Sequence, residues 1–124
     1  MNLTNAKMEQ MLESAQRHLD KADIIGYACA RNVRMLSEEL TEYQTAMERL
    51  CRKYGEDERD SDGNATGRLI VRRDIGEWGE FEEKMAEFGG IEHEFKPFVI
   101  PYDKAIGILS GTELLELDWM FEEE

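Results

Sequence analysis

Cysteine, histidine and proline each occur only twice in this chain of 124 residues. No apolar run approaches the ~18 residues that a membrane-spanning helix requires. The opening MNLTNAKMEQ lacks the positive flank and continuous apolar stretch of a secretion signal. Both absences point to a cytoplasmic protein with no membrane partner. Cys29 and Cys51 fall on one predicted helix, roughly 33 Å apart at 1.5 Å per residue. A disulfide spans only about 6 Å between α-carbons, so two reduced, core-type thiols are expected.

Catalytic motifs are missing too. The chain has no Cys-x-x-Cys, Gly-x-Ser-x-Gly, His-Glu-x-x-His or Walker-type glycine loop. His18 and His93 alone supply no metal-ligand set at workable spacing. His93 stands between Glu92 and Glu94 on a predicted strand, where neighbouring side chains point to opposite faces, so those carboxylates do not orient it. No enzyme activity, cofactor or metal is expected. The segment 56–67 falls near an EF-hand register, but Leu69 stands where the closing bidentate carboxylate belongs, and a solvated turn is expected instead.

Basic charge is also scarce, and unevenly so. Residues 1–55 hold 8 Lys/Arg against 8 Asp/Glu and residues 56–124 hold 7 against 20, so the second part carries the whole net charge of −13. That asymmetry disfavours direct nucleic-acid binding and acidic membranes. It leaves open an imitation of nucleic acid by the acidic part. The few arginines are therefore worth locating. Arg31, Asn32 and Arg34 cluster on one helix, while Arg68, Arg72 and Arg73 flank a short strand. If folding joined members of the two groups, Arg31, Asn32, Arg34, Arg72 and Arg73 would form a ligand pocket for phosphate or carboxylate.

What is present is helical periodicity. At 124 residues one domain is expected, with an α+β fold. An N-terminal helical hairpin (residues 1–55) is followed by an acidic loop (56–68), then a small β-sheet with two further helices (69–124). Thr4 or Asn5 caps a first helix whose face is Met8, Met11, Leu12, Ala15 and Leu19. After a connection at 21–23, the residues Cys29, Val33, Leu36, Leu40, Tyr43, Met47, Leu50 and Tyr54 recur with a period of about 3.5, predicting one long helix of about 42 Å. The first helix covers only about half of that seam. The rest must bury against the C-terminal part or a second copy. Leu36, Leu40, Tyr43, Met47, Leu50 and Tyr54 are accordingly candidate interface residues of a homodimer or higher oligomer.

Farther along, residues 69–71 predict a short strand. Asp74 with Glu77 resembles a capping box for a third helix through Ile75, Trp78, Phe81, Met85 and Phe88. Residues 91–100 predict an edge strand interrupted by Pro97, with 106–109 as its neighbour. Ser110 and Glu113 predict the cap of a last helix.

Tyr27-x3-Arg31-Asn32, Leu36-x2-Glu39, Tyr43, Leu50, Tyr54-Gly55, the acidic loop with Asp62-Gly63, and Leu114-x2-Leu117-Asp118-Trp119-Met120 resemble a family of small uncharacterised phage and prophage proteins of Gram-positive bacteria. The chain departs from that pattern at residues 63–67 and at Arg72-Arg73. The resemblance implies a viral accessory protein in the cytoplasm of an infected bacterium, and carries over no functional residue. Three roles agree with small size, acidic charge and missing catalytic motifs. They are a stoichiometric inhibitor of a host antiviral-defence protein, a sponge for a nucleotide-like signal, and a phage assembly helper.

Overall fold

A computed structural model describes residues 1–122. In chain order the elements are β1 (Asn2–Thr4), α1 (Asn5–Arg17), α2 (Asp23–Glu39), α3 (Thr41–Tyr54), β2 (Glu56–Arg59), β3 (Ala65–Ile70), α4 (Trp78–Gly89), β4 (Glu92–Glu94) and α5 (Gly111–Glu116). Single 3-10 turns lie at Tyr102–Lys104 and Asp118–Met120. The strands form two separate antiparallel pairs, β1 with β4 and β2 with β3. The fold is α+β with N-terminal helices, as the periodicity predicts. Among the described residues no helix is long and apolar enough to cross a membrane.

The long second helix is not continuous. It breaks at Leu40 (φ −93°, ψ 5°), leaving α2 and α3 as separate helices. This break also marks a change of neighbourhood. The chain forms two compact units, Met1–Leu40 with Glu92–Glu124 and Thr41–Ile91. The segment from Glu92 onward thus belongs with α1 and α2 in the first unit.

In the first unit Thr4 caps α1 by accepting the Lys7 N–H at 3.1 Å, which satisfies one of the free donors of a helix start. Met8, Met11, Leu12 and Ala15 form its buried stripe. The turn into α2 admits only glycine at position 26, where a Cβ would collide with the Lys21 carbonyl. Ala15, Ile25, Ala28, Cys29, Ile100, Leu109, Leu117 and Met120 share one core. Two backbone bonds stitch its C-terminal strip, Ile100 N–H to Met120 O (2.9 Å) and Glu122 N–H to Ile100 O (3.0 Å). The expected strand over 91–100 shrinks to β4, paired Leu3 to His93 with β1. Beyond it the Phe98 N–H is bound by a side chain, so no ladder continues. The expected neighbour at 106–109 is a turn, with Gly107 at φ +85°.

In the second unit the expected acidic loop is a hairpin. Asp60 Oδ1 accepts the Asp62 and Asn64 N–H groups (2.9 and 3.0 Å), an Asx-type turn that reverses β2 into β3. The capping box expected at Asp74 and Glu77 does not form. The Asp74 carboxylate accepts from Arg72 instead, at 2.7 Å, and α4 starts without a side-chain cap. Tyr54, Phe81 and Trp78 pack ring to ring at 5.6 and 5.4 Å.

Candidate functional site

The exposed face of α2 carries an arginine-aromatic cleft. Asn32 sits on the opposite, buried face, fully excluded from solvent. Its Nδ2 donates to the Phe98 carbonyl at 2.9 Å, and its Oδ1 accepts the Phe98 N–H at 2.8 Å. This pair of hydrogen bonds replaces a strand partner for residue 98 and fixes Phe98 against the helix. Two helix positions then come into play. Tyr27 meets the Phe98 ring edge-on at 5.8 Å, and the Arg31 guanidinium lies 4.7 Å from the Phe98 centroid and 6.0 Å from that of Tyr27. Arg31 Nη1 also donates to the Tyr27 hydroxyl at 3.3 Å.

Tyr27, Ala30, Arg31, Arg34 and Met35 line an open cleft of about 300 Å³. Arg34 is one turn beyond Arg31 on the same face. Neither arginine has a carboxylate partner among the described residues. Stacking holds a guanidinium through its flat face and leaves its N–H edge for an oxyanion, with less freedom left to lose on binding. Tyr27 is 54% exposed and offers an aromatic surface beside that edge. The cleft therefore matches an anion attached to a flat or apolar group.

The arginine pocket drawn from the sequence is only partly assembled. Arg31 and Arg34 share the α2 cleft, but Asn32 is a core amide and not a ligand. Arg72 and Arg73 belong to the other unit. There Arg72 is engaged by Asp74 at 2.7 Å and Glu56 at 3.6 Å, and Arg73 lies 5.8 Å over the Trp78 ring. Phe98 is not legible from the sequence, because nothing there links it to a helix 66 residues earlier. The Tyr27 to Arg31 spacing of four was the available signal.

The candidate interface residues are placed differently from expectation. Leu36, Leu40, Tyr43 and Leu50 are buried within the single chain, and Met47 and Tyr54 are half-buried. The stripe is core here, and it does not offer a continuous face to a second copy. Tyr54 donates its hydroxyl to Glu80 at 2.7 Å, and that bond chiefly pushes its phenol up to about 12. Cys29 and Cys51, on α2 and α3, are both free thiols. Burial pushes the Cys29 thiol up to about 11, so it stays protonated and unreactive at neutral pH.

A second charged cluster ties α5 to the end of α1. His18 is almost enclosed, with Nε2 3.1 Å from Glu116 and Nδ1 3.4 Å from Glu113. Arg17 reaches Glu116 at 2.8 Å, and Lys21 reaches Glu113 at 2.7 Å. The Lys21 ammonium, aided by the Ser110 backbone N–H, holds the Glu113 carboxyl down to about 2. His93 is oriented by Glu39 of α2, 3.0 Å from its Nδ1, and not by its strand neighbours. These clusters fasten elements, and among the described residues no group of three or more His, Cys, Asp or Glu side chains is placed to hold a metal ion. Compared with known proteins, the chain matches no family model, no curated protein and no solved structure.

Proposed function

We propose that this is a non-enzymatic binding protein that captures a small, phosphate-bearing, nucleotide-like molecule in the α2 cleft. The observation that carries the proposal is the Arg31 guanidinium carbon 4.7 Å over the Phe98 ring, beside an open cleft that Arg31 and Arg34 both line. Arg31 and Arg34 would bind the phosphate through paired charge-assisted hydrogen bonds. Tyr27 would take the base or sugar on its exposed ring. A cleft of about 300 Å³ is at the small end of ligand pockets, which suits one nucleotide unit better than two.

Calorimetry against mononucleotides, cyclic nucleotides and ADP-ribose tests this. At least one is expected to bind wild-type protein, with affinity falling about tenfold in Arg31→Ala, the loss of one charge-assisted contact of ~1.4 kcal/mol. Silence across the whole set, or affinity unchanged in Arg31→Ala, would overturn the proposal.

A second reading has its own support. Ile106 is 62% exposed, and Tyr102 and Ile108 are also exposed, in the turn before α5. Exposed apolar side chains close together in an acidic protein suit contact with another protein. In that case the role is a phage-encoded stoichiometric inhibitor of a host protein. Ile106→Asp with Ile108→Asp would then abolish inhibition while leaving nucleotide binding unchanged.

A further inference from the structure

A separate groove lies in the second unit, at the edge of α3 where exposed Arg49 and Lys53 border the buried Leu50. Ala46, Arg49, Leu50 and Lys53 recur at steps of three, one and three, so they form one strip about 10 Å long. Phe88, near the end of α4, supplies a wall, and the five side chains enclose about 320 Å³. The small Ala46 leaves the space, with Leu50 and Phe88 giving an apolar floor. Arg49 and Lys53 stand at the rim one helical turn apart.

Neither rim cation has a carboxylate partner among the described residues, whereas the adjacent Arg52 does pair with Glu48 at 2.8 Å. Lys53 is steadied over the Tyr54 ring, its Nζ 5.2 Å from the centroid. An apolar trough edged by two cations is complementary to a segment that presents an apolar side chain between carboxylates.

We propose that this groove docks a short, acidic, amphipathic helix of a partner protein. An apolar side chain of the partner enters over Leu50 and Phe88 beside Ala46, and carboxylates one turn to either side meet Arg49 and Lys53. The groove and the α2 cleft belong to different units, so the two proposals stand or fall separately.

The test uses the full chain and a fluorescent synthetic helical peptide, with leucines at every third and fourth position flanked by glutamates. A control peptide carries lysines in place of the glutamates. Anisotropy is expected to show binding of the acidic peptide only, weakening as salt rises from ~0.05 to ~0.5 M. Arg49→Glu with Lys53→Glu is expected to lower affinity at least about tenfold. Ala46→Trp, which fills the trough without touching charge, is expected to do the same, while Arg31→Glu with Arg34→Glu leaves binding unchanged. Circular dichroism checks that each variant remains helical. No binding of the acidic peptide, equal binding of the lysine peptide, or unchanged binding in the variants at positions 49 and 53 would overturn the proposal.

Discussion

Asn32 shows how a residue that reads as ligand-binding can instead shape the surface beside a candidate site. A polar amide on a helix beside two arginines suggests anion binding, but its spacing also puts it on the apolar face, next to Cys29 and Leu36, which are fully buried. Once buried, it must find partners, and the backbone of Phe98 supplies both. Asn32→Ala would strand the part-buried N–H and carbonyl of Phe98. We predict a loss of about 2–4 kcal/mol, two unsatisfied groups at ~1–2 each, measured by urea denaturation. The Arg31 stack should loosen with it. A cost below ~1 kcal/mol would mean that water replaces the amide readily.

Glu113 makes a second prediction at this scale. Its folded value near 2 lies below the ordinary 4.5, so it contributes stability above the ordinary value. That contribution is lost as pH falls from about 4.5 toward 2. Carbon-13 detected titration should place its midpoint near 2 in wild-type protein and closer to 4.5 in Lys21→Ala. An unchanged midpoint in Lys21→Ala would exclude the lysine as the cause.

Elements were legible where local chemistry alone decides them. Ser110 and Glu113 form the expected capping box, with Glu113 N–H to Ser110 Oγ at 3.2 Å and Ser110 N–H to Glu113 Oε1 at 3.0 Å. We predict that Ser110→Ala costs about 1 kcal/mol in thermal unfolding and increases amide exchange within α5. Where two local partners compete, the sequence pattern misleads. Asp74 can cap α4 or pair with Arg72, and it pairs with Arg72. The break at Leu40 was hidden for a different reason. Leu40 fits the 3.5-residue seam and is fully buried, so an apolar pattern runs unbroken across a backbone that does not. The hairpin over 56–70 was obscured because its strands are mostly exposed. Without a buried face they lack the alternation by which strands are recognised. The candidate site was half legible, in Tyr27, Arg31 and Arg34 on one helix. Phe98 depends on a long-range side-chain to backbone bond that no spacing encodes.

At the scale of the molecule, a net charge of −13 repels itself and sets the background against which any anion must bind. Screening should relieve that repulsion. We predict that raising sodium chloride from ~0.05 to ~0.5 M increases the melting temperature in scanning calorimetry, and a decrease would show that ion pairs outweigh repulsion. For the same reason, capture of an anionic ligand requires a local exception to the acidic surface, and the stacked Arg31 with Arg34 is such an exception. The most direct measurement is a nuclear magnetic resonance titration of the full chain with the nucleotide panel, following backbone amides and arginine Nε–H groups together. Shifts should concentrate at Tyr27, Arg31, Arg34 and Phe98, and vanish in Arg31→Glu with Arg34→Glu. Spectra that stay unchanged, or shifts that gather at Arg72 and Arg73 and persist in that variant, would contradict the account.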